Sequence, residues 1–168
     1  LEKMGNAYGA KITFAICPEV VDFFPETKGH EIGLHVHPGW EEFRKGSYIW
    51  HVGDAYLKKV CNFNKTSTAL KDYSFNEQLE MIKKGKELLE KKFGVNIKVF
   101  LAGRWSLNAD TIKALVELSF THDCSAYPGL KLSHFDWSKL PRICMPYRPN
   151  RDNHQERGDL PITMVPVS

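Results

Sequence analysis

Residues 74–124 constrain the fold of this chain more than any other stretch. "SFNEQLEMIKKGKELLEKKFG" carries Leu79, Ile82, Leu89 and Phe93 at helical spacing, with lysines and glutamates over the opposite face. That is the pattern of a helix with one buried stripe. Gly94 ends it, and the apolar "NIKVFLAG" follows as a strand. Asn108 then caps a second helix, "ADTIKALVELSF", whose Ile112, Leu115 and Val116 form the buried side, and "FTHDCSAYPG" reads as a strand running into a loop. Helix, strand, helix, strand in that order predicts parallel strands joined by helical crossovers.

The flanks extend the pattern. "LEKMGNAYGAKITFAIC" reads as the end of a helix, a glycine stop at Gly9 and a strand from Lys11 to Cys17. "HEIGLHVHP" is a second short apolar run, closed by Pro38. Residues 39–74 are aromatic, polar and aperiodic, and are expected to form a long irregular insertion with one helical turn around Ala55–Val60. Residues 127–160 are rich in proline and polar side chains, and "PITMVPVS" closes the chain as a strand with proline near each end. The expectation is one α/β domain over residues 1–168, either a barrel or an open sheet. A chain of 168 residues is long enough for one sizeable core and too short for two.

Composition narrows the partners. A net charge of +3, with no run of Lys and Arg interleaved with aromatics, does not favour nucleic acid. No apolar run approaches membrane-spanning length, and no signal peptide is visible, although the chain starts at Leu1 and its location stays open. Four cysteines, at 17, 61, 124 and 144, form no C-x-x-C pair. Cys17 and Cys124 read as small core residues. The sequon Asn64–Lys65–Thr66 is too short a pattern to carry weight.

In both α/β architectures the working residues gather at the C-terminal ends of the strands. Three strands deliver unusual polar residues to such ends: His35 and His37, then Arg104 and Trp105, then His122 and Asp123. Residues i and i+2 of a strand point to one face, roughly 6.5 Å apart along it, so the two imidazoles can converge on one cation. Zinc accepts neutral imidazole, with a carboxylate and water completing a catalytic site. The bland alternative is one hydrogen-bonded core histidine and one solvent-facing one. Arg104, directly after a buried strand, has to leave the core or find a carboxylate. It serves either as a strand-end salt bridge or as a fork that orients an aspartate or holds an oxyanion. Trp105 is a rim-packing residue or the wall for a sugar ring, and Asp123 a functional acid or a turn former.

"AYGAKITFAI", "GHEIGLHVHPGW", "FLAGRWSLNADTIKALVELSFTHDCSAYPG" and "GDLPITMVPVS" resemble the polysaccharide deacetylase family, the carbohydrate esterases related to chitin and peptidoglycan deacetylases. The resemblance runs through most of the chain, weakest in 39–72 and 130–157. It implies a distorted (β/α) barrel, here incomplete, holding one divalent ion, zinc foremost with cobalt or nickel as alternatives. It further implies removal of acetyl groups from an N- or O-acetylated oligo- or polysaccharide. By position, His35 matches the first metal histidine and His37 the second, at a spacing of two where the family has four. Arg104 matches the arginine that orients a base aspartate, Trp105 the pocket aromatic, and Asp123 an acidic position of the following motif. The family's early Asp–Asp pair and late histidine motif find no match here.

Two other readings compete. One is a non-catalytic carbohydrate-binding or structural domain that keeps the fold. The other, ranked last, is an amidohydrolase, which needs H-x-H on the first strand and further metal residues downstream. With two imidazoles and no base, we expect the 168-residue chain alone to be inactive, and expect an incomplete sheet near residues 11–17 or a partner segment in that slot.

Overall fold

The computed structural model describes residues 1–25, 29–62 and 65–167. Asn64, of the sequon, lies outside the described residues. Five strands, β1 (Thr13–Ile16), β2 (Glu31–Val36), β5 (Val99–Ala102), β6 (His122–Asp123) and β9 (Thr163–Met164), form one sheet in the order β1-β2-β5-β6-β9. All four pairings are parallel. Each new strand is added on the same side of the last, so the order never reverses. This is the winding of a barrel rather than that of a doubly wound sheet. Among the described residues no pairing joins β9 back to β1.

The helices follow the predicted signals. Helix α1 (Glu2–Ala7) precedes β1, and Gly9 takes a positive φ of 66° just beyond it. Helix α3 (Phe75–Phe93) opens with a capping box in which Ser74 accepts from the Glu77 N–H and Glu77 reaches back. It ends on Gly94 in the left-handed conformation. Of its predicted stripe, Ile82 and Leu89 are fully buried, while Leu79 and Phe93 pack on the edge of the core. Helix α4 (Ala109–Glu117) starts with Asn108 accepting from the Thr111 N–H at 3.0 Å and buries Ile112 and Leu115.

Register assigns the two faces of the sheet. Ile16, Leu34, Phe100, Asp123 and Met164 are aligned across the strands, so they share a face. All five are buried. Helix α3 packs here: a β-carbon at Gly85 would lie 2.9 Å from Leu34 Cδ1. His35 and Leu101 sit one residue along, on the opposite face, where burial is only partial. Cys17 and Cys124 continue that alternation beyond β1 and β6 and are half-buried, not core residues as expected.

The largest departure from expectation is in 39–74. Helix α2 (Ala55–Cys61) falls where a helical turn is expected, but the described residues also form a hairpin of β3 (Trp40–Lys45) and β4 (Tyr48–Gly53) and a helical turn at Leu70–Asp72. The Lys45↔Tyr48 pair closes a two-residue turn on Gly46, whose φ is 61°. The hairpin forms its own two-stranded sheet, so neither face needs the clean apolar alternation of a core strand, and period-2 reading misses it. Its two ends meet at Gly39 and Gly53, both at positive φ, where a β-carbon at Gly53 would lie 2.3 Å from the Gly39 carbonyl oxygen. A short hairpin of β7 (Lys131–Leu132) and β8 (Phe135–Asp136) lies within the proline-rich region. Among the described residues no helix is long and apolar enough to cross a membrane.

Candidate functional site

The C-terminal ends of β2 and β5 meet at three of the predicted residues. His35 lies in β2 and His37 just past its end, with ring centroids 4.6 Å apart in an edge-on arrangement. The Nδ1 of His35 is 2.9 Å from the Leu101 carbonyl oxygen. A carbonyl only accepts, so Nδ1 carries the proton and the lone pair is on Nε2. Burial lowers the pKa of His35, opposed by this same hydrogen bond. Burial, then the proximity of His35 and Arg104, lowers that of His37 to about 4. Both rings are therefore neutral at pH 7, the form that binds metal. His37 Nδ1 is buried with no hydrogen-bond partner among the described residues.

The turn after β5 is shaped around this pair. A β-carbon at Gly103 would lie 2.5 Å from both His37 Nδ1 and the Val36 carbonyl oxygen, so the "AGRW" sequence needs glycine there for steric reasons. The next two residues, Arg104 and Trp105, have φ of 55° and 52°. Two successive non-glycine residues in the left-handed region cost roughly 1–2 kcal/mol each. Such strain concentrates at functional sites.

Arg104 does have a carboxylate partner, and it comes from an unexpected place. Its Nη2 donates to Glu41 Oε2 at 3.0 Å, with the two side chains 20% and 34% exposed. Glu41 is in β3, and its Oε1 accepts from the Thr68 N–H at 3.2 Å. Between β7 and β8, His134 has its pKa lowered by burial, then by the charges of Arg104 and Lys71, with Glu41 opposing them. Lys71 Nζ donates to the neighbouring Ser133 carbonyl at 3.2 Å. Glu41 was not legible as a site residue in the sequence, because it is carried in by a hairpin that packs outside the main sheet.

Trp105 stands at the rim, 37% exposed, with Tyr127 at 5.2 Å and Phe135 at 5.9 Å behind it. Its carbonyl accepts from Nε1 of the fully buried Trp137 at 2.9 Å. Asp123 is elsewhere. It is fully buried on the helix-facing side of the sheet, opposite to His35, and Ser125 occupies both its oxygens at 2.9 and 2.7 Å. Ser125 Oγ in turn accepts from the Ala102 N–H at 2.7 Å, so Asp123 secures the end of β5 from behind. Burial pushes its pKa up to about 7 against those hydrogen bonds.

The structure thus brings His35, His37 and Arg104 together, adds Glu41, and places Asp123 on the other face. Toward a metal, the two imidazoles supply a pair of adjacent neutral donors. No group of three or more His, Cys, Asp or Glu able to hold an ion exists among the described residues. Catalytic zinc takes three protein ligands, so the described residues fall short of such a site.

No family model matches the chain, and no curated protein matches it. A solved structure does: a protein from Mycobacterium smegmatis described as a "putative polysaccharide deacetylase" superposes with a TM-score of 0.62 over 99% of this chain, at 19% sequence identity. The chain spans 44% of that protein's length. The likeness shows the fold, a parallel α/β sheet shared with that structure.

Proposed function

We propose that this chain carries the histidine side of a deacetylase site, in a metal-dependent hydrolase that removes acetyl groups from an N- or O-acetylated carbohydrate. The observation that carries the reading is the pair of neutral imidazoles at the end of β2, 4.6 Å apart, with Arg104 beside them on a deacetylase-type fold. In this reading His35 and His37 would supply two of the protein ligands of one divalent ion, zinc foremost and cobalt or nickel as alternatives. Such an ion, when bound, would polarise the acetyl carbonyl and lower the pKa of a bound water. Arg104 presents a guanidinium to developing negative charge. Trp105, backed by two aromatic rings, offers a face for a sugar ring. Asp123 contributes indirectly, by holding the end of β5 and hence Arg104 in place. The test is acetate release from N-acetylated chito-oligosaccharides by the full-length gene product, with and without each metal. Acetate release that a chelator leaves unchanged contradicts the metal-dependent reading.

A second reading, a carbohydrate-binding domain without catalysis, draws support from the same exposed Trp105 platform. Oligosaccharide binding that survives chelation and is lost in Trp105→Ala, with no acetate released, favours it.

A further inference from the structure

We propose that Glu41 is the positioning residue of this site, holding the Arg104 guanidinium at the end of β5, and that the β3–β4 hairpin is thereby a working part of the site. The proposal rests on the hydrolase reading above for its consequence in turnover, and on geometry alone for the contact itself.

Arg104 is only 20% exposed, and its backbone is held in the left-handed region, so the side chain has little freedom to seek partners. A guanidinium in that setting needs a carboxylate to offset its lost hydration. Asp123, the acid at the end of the neighbouring strand β6, is committed to Ser125 on the far face of the sheet. Glu41 provides the charge at 3.0 Å, and it arrives fixed rather than loose. Its second oxygen is held by the Thr68 N–H, and the preceding Trp40 N–H donates to the Thr66 carbonyl at 2.9 Å. Beneath, Gly39 lies so tightly on residues 66–67 that a β-carbon would come within 2.3 Å of both the Thr66 and Ser67 carbonyl oxygens. The strand start is thus held against residues 66–67, and the carboxylate itself is held by the Thr68 N–H where it meets Arg104. The next residue, Glu42, pairs instead with Arg44 at 2.6 Å, on the solvent side of the hairpin. The arrangement distinguishes two adjacent glutamates, one built into the site and one not.

The experiment compares Glu41→Gln with Glu42→Gln. Glutamine at 41 keeps the shape and the acceptor for Thr68 but removes the charge. Rotation of the Arg104 guanidinium, read by 15N NMR on the chain, is expected to accelerate roughly ten-fold or more in Glu41→Gln and to stay unchanged in Glu42→Gln. In the full-length gene product, Glu41→Gln is expected to lower kcat for acetate release by about ten-fold or more with KM within about two-fold, as loss of an orienting partner does. Wild-type rotation rates in Glu41→Gln overturn the proposal, and so does faster rotation with unchanged kcat. If the wild-type protein releases no acetate, the hydrolase reading falls, and the rotation rates alone still decide whether Glu41 holds Arg104.

Discussion

Gly103 passes so close to His37 that any side chain there would collide with the ring, its virtual β-carbon lying 2.5 Å from Nδ1. The residue before Arg104 thus fixes where the second imidazole can stand. Gly103→Ala is expected to push His37 aside and to destabilise the fold by about 1–3 kcal/mol, the usual range for overpacking. Urea denaturation gives the stability, and loss of the His37 cross-peak to Gly103 in NMR spectra reports the displaced ring. A variant of wild-type stability with an unmoved ring contradicts this account of the turn.

The metal prediction separates the two histidines. His35 has its tautomer fixed by the Leu101 carbonyl, which leaves Nε2 ready to ligate, whereas His37 Nδ1 has no such anchor. His35→Ala is therefore expected to abolish most zinc binding and His37→Ala to weaken it less, by calorimetry. Equal affinity for wild type and His35→Ala rules His35 out as a ligand.

Much of the scaffold for this site was readable in advance. The Asn108 cap, the Gly94 stop and the stripes of Ile82, Leu89, Ile112 and Leu115 are local signals that local structure obeys. Parallel pairing followed from the alternation of elements, since crossover helices leave no other economical connection. Glu41 was not readable, because its importance depends on a contact 63 residues away in sequence, made by a hairpin that shares no ladder with the main sheet. Asp123 misled for a related reason. A carboxylate at a strand end carries no mark of which face it occupies until register with Phe100 is known, and that register turns it toward the helices.

A third prediction concerns pH and lies outside the site. His154 is half-buried, its ring 4.9 Å from Trp137, with its Nε2 buried and lacking a hydrogen-bond partner among the described residues, and burial lowers its pKa to about 4. Between the unfolded value of roughly 6.5 and this folded value, the unfolded chain holds the extra proton, so the histidine makes folding less favourable as pH falls through that window. Asp123 and Asp54, pushed up to about 7 and about 6 by burial, act with the opposite sign. Their effect cancels in a comparison of variants. His154→Phe keeps the edge-on ring contact and removes the orphaned nitrogen. It is expected to match or exceed wild-type stability at pH 7, with an advantage that grows from pH 6.5 to 4, by denaturant titration. A constant difference across that range contradicts the prediction.

The last prediction is that this 168-residue chain by itself does not hydrolyse acetylated sugars at an enzymatic rate. The geometry accounts for binding and orientation: two neutral imidazoles, a guanidinium fixed by Glu41, and an exposed indole on an aromatic base. It does not account for the chemical step. A catalytic zinc site uses three protein ligands, and the described residues offer no cluster of three. A general base contributes roughly 10²–10⁴-fold. The acids nearest this role are already engaged, Glu41 with Arg104 and Asp123 with Ser125 on the other face. The expectation is weak zinc binding and negligible acetate release, measured with an N-acetylated chito-oligosaccharide at saturating metal. Rapid acetate release by the isolated chain, lost in both His35→Ala and Arg104→Ala, shows that a third ligand and a base lie within these residues and defeats the prediction.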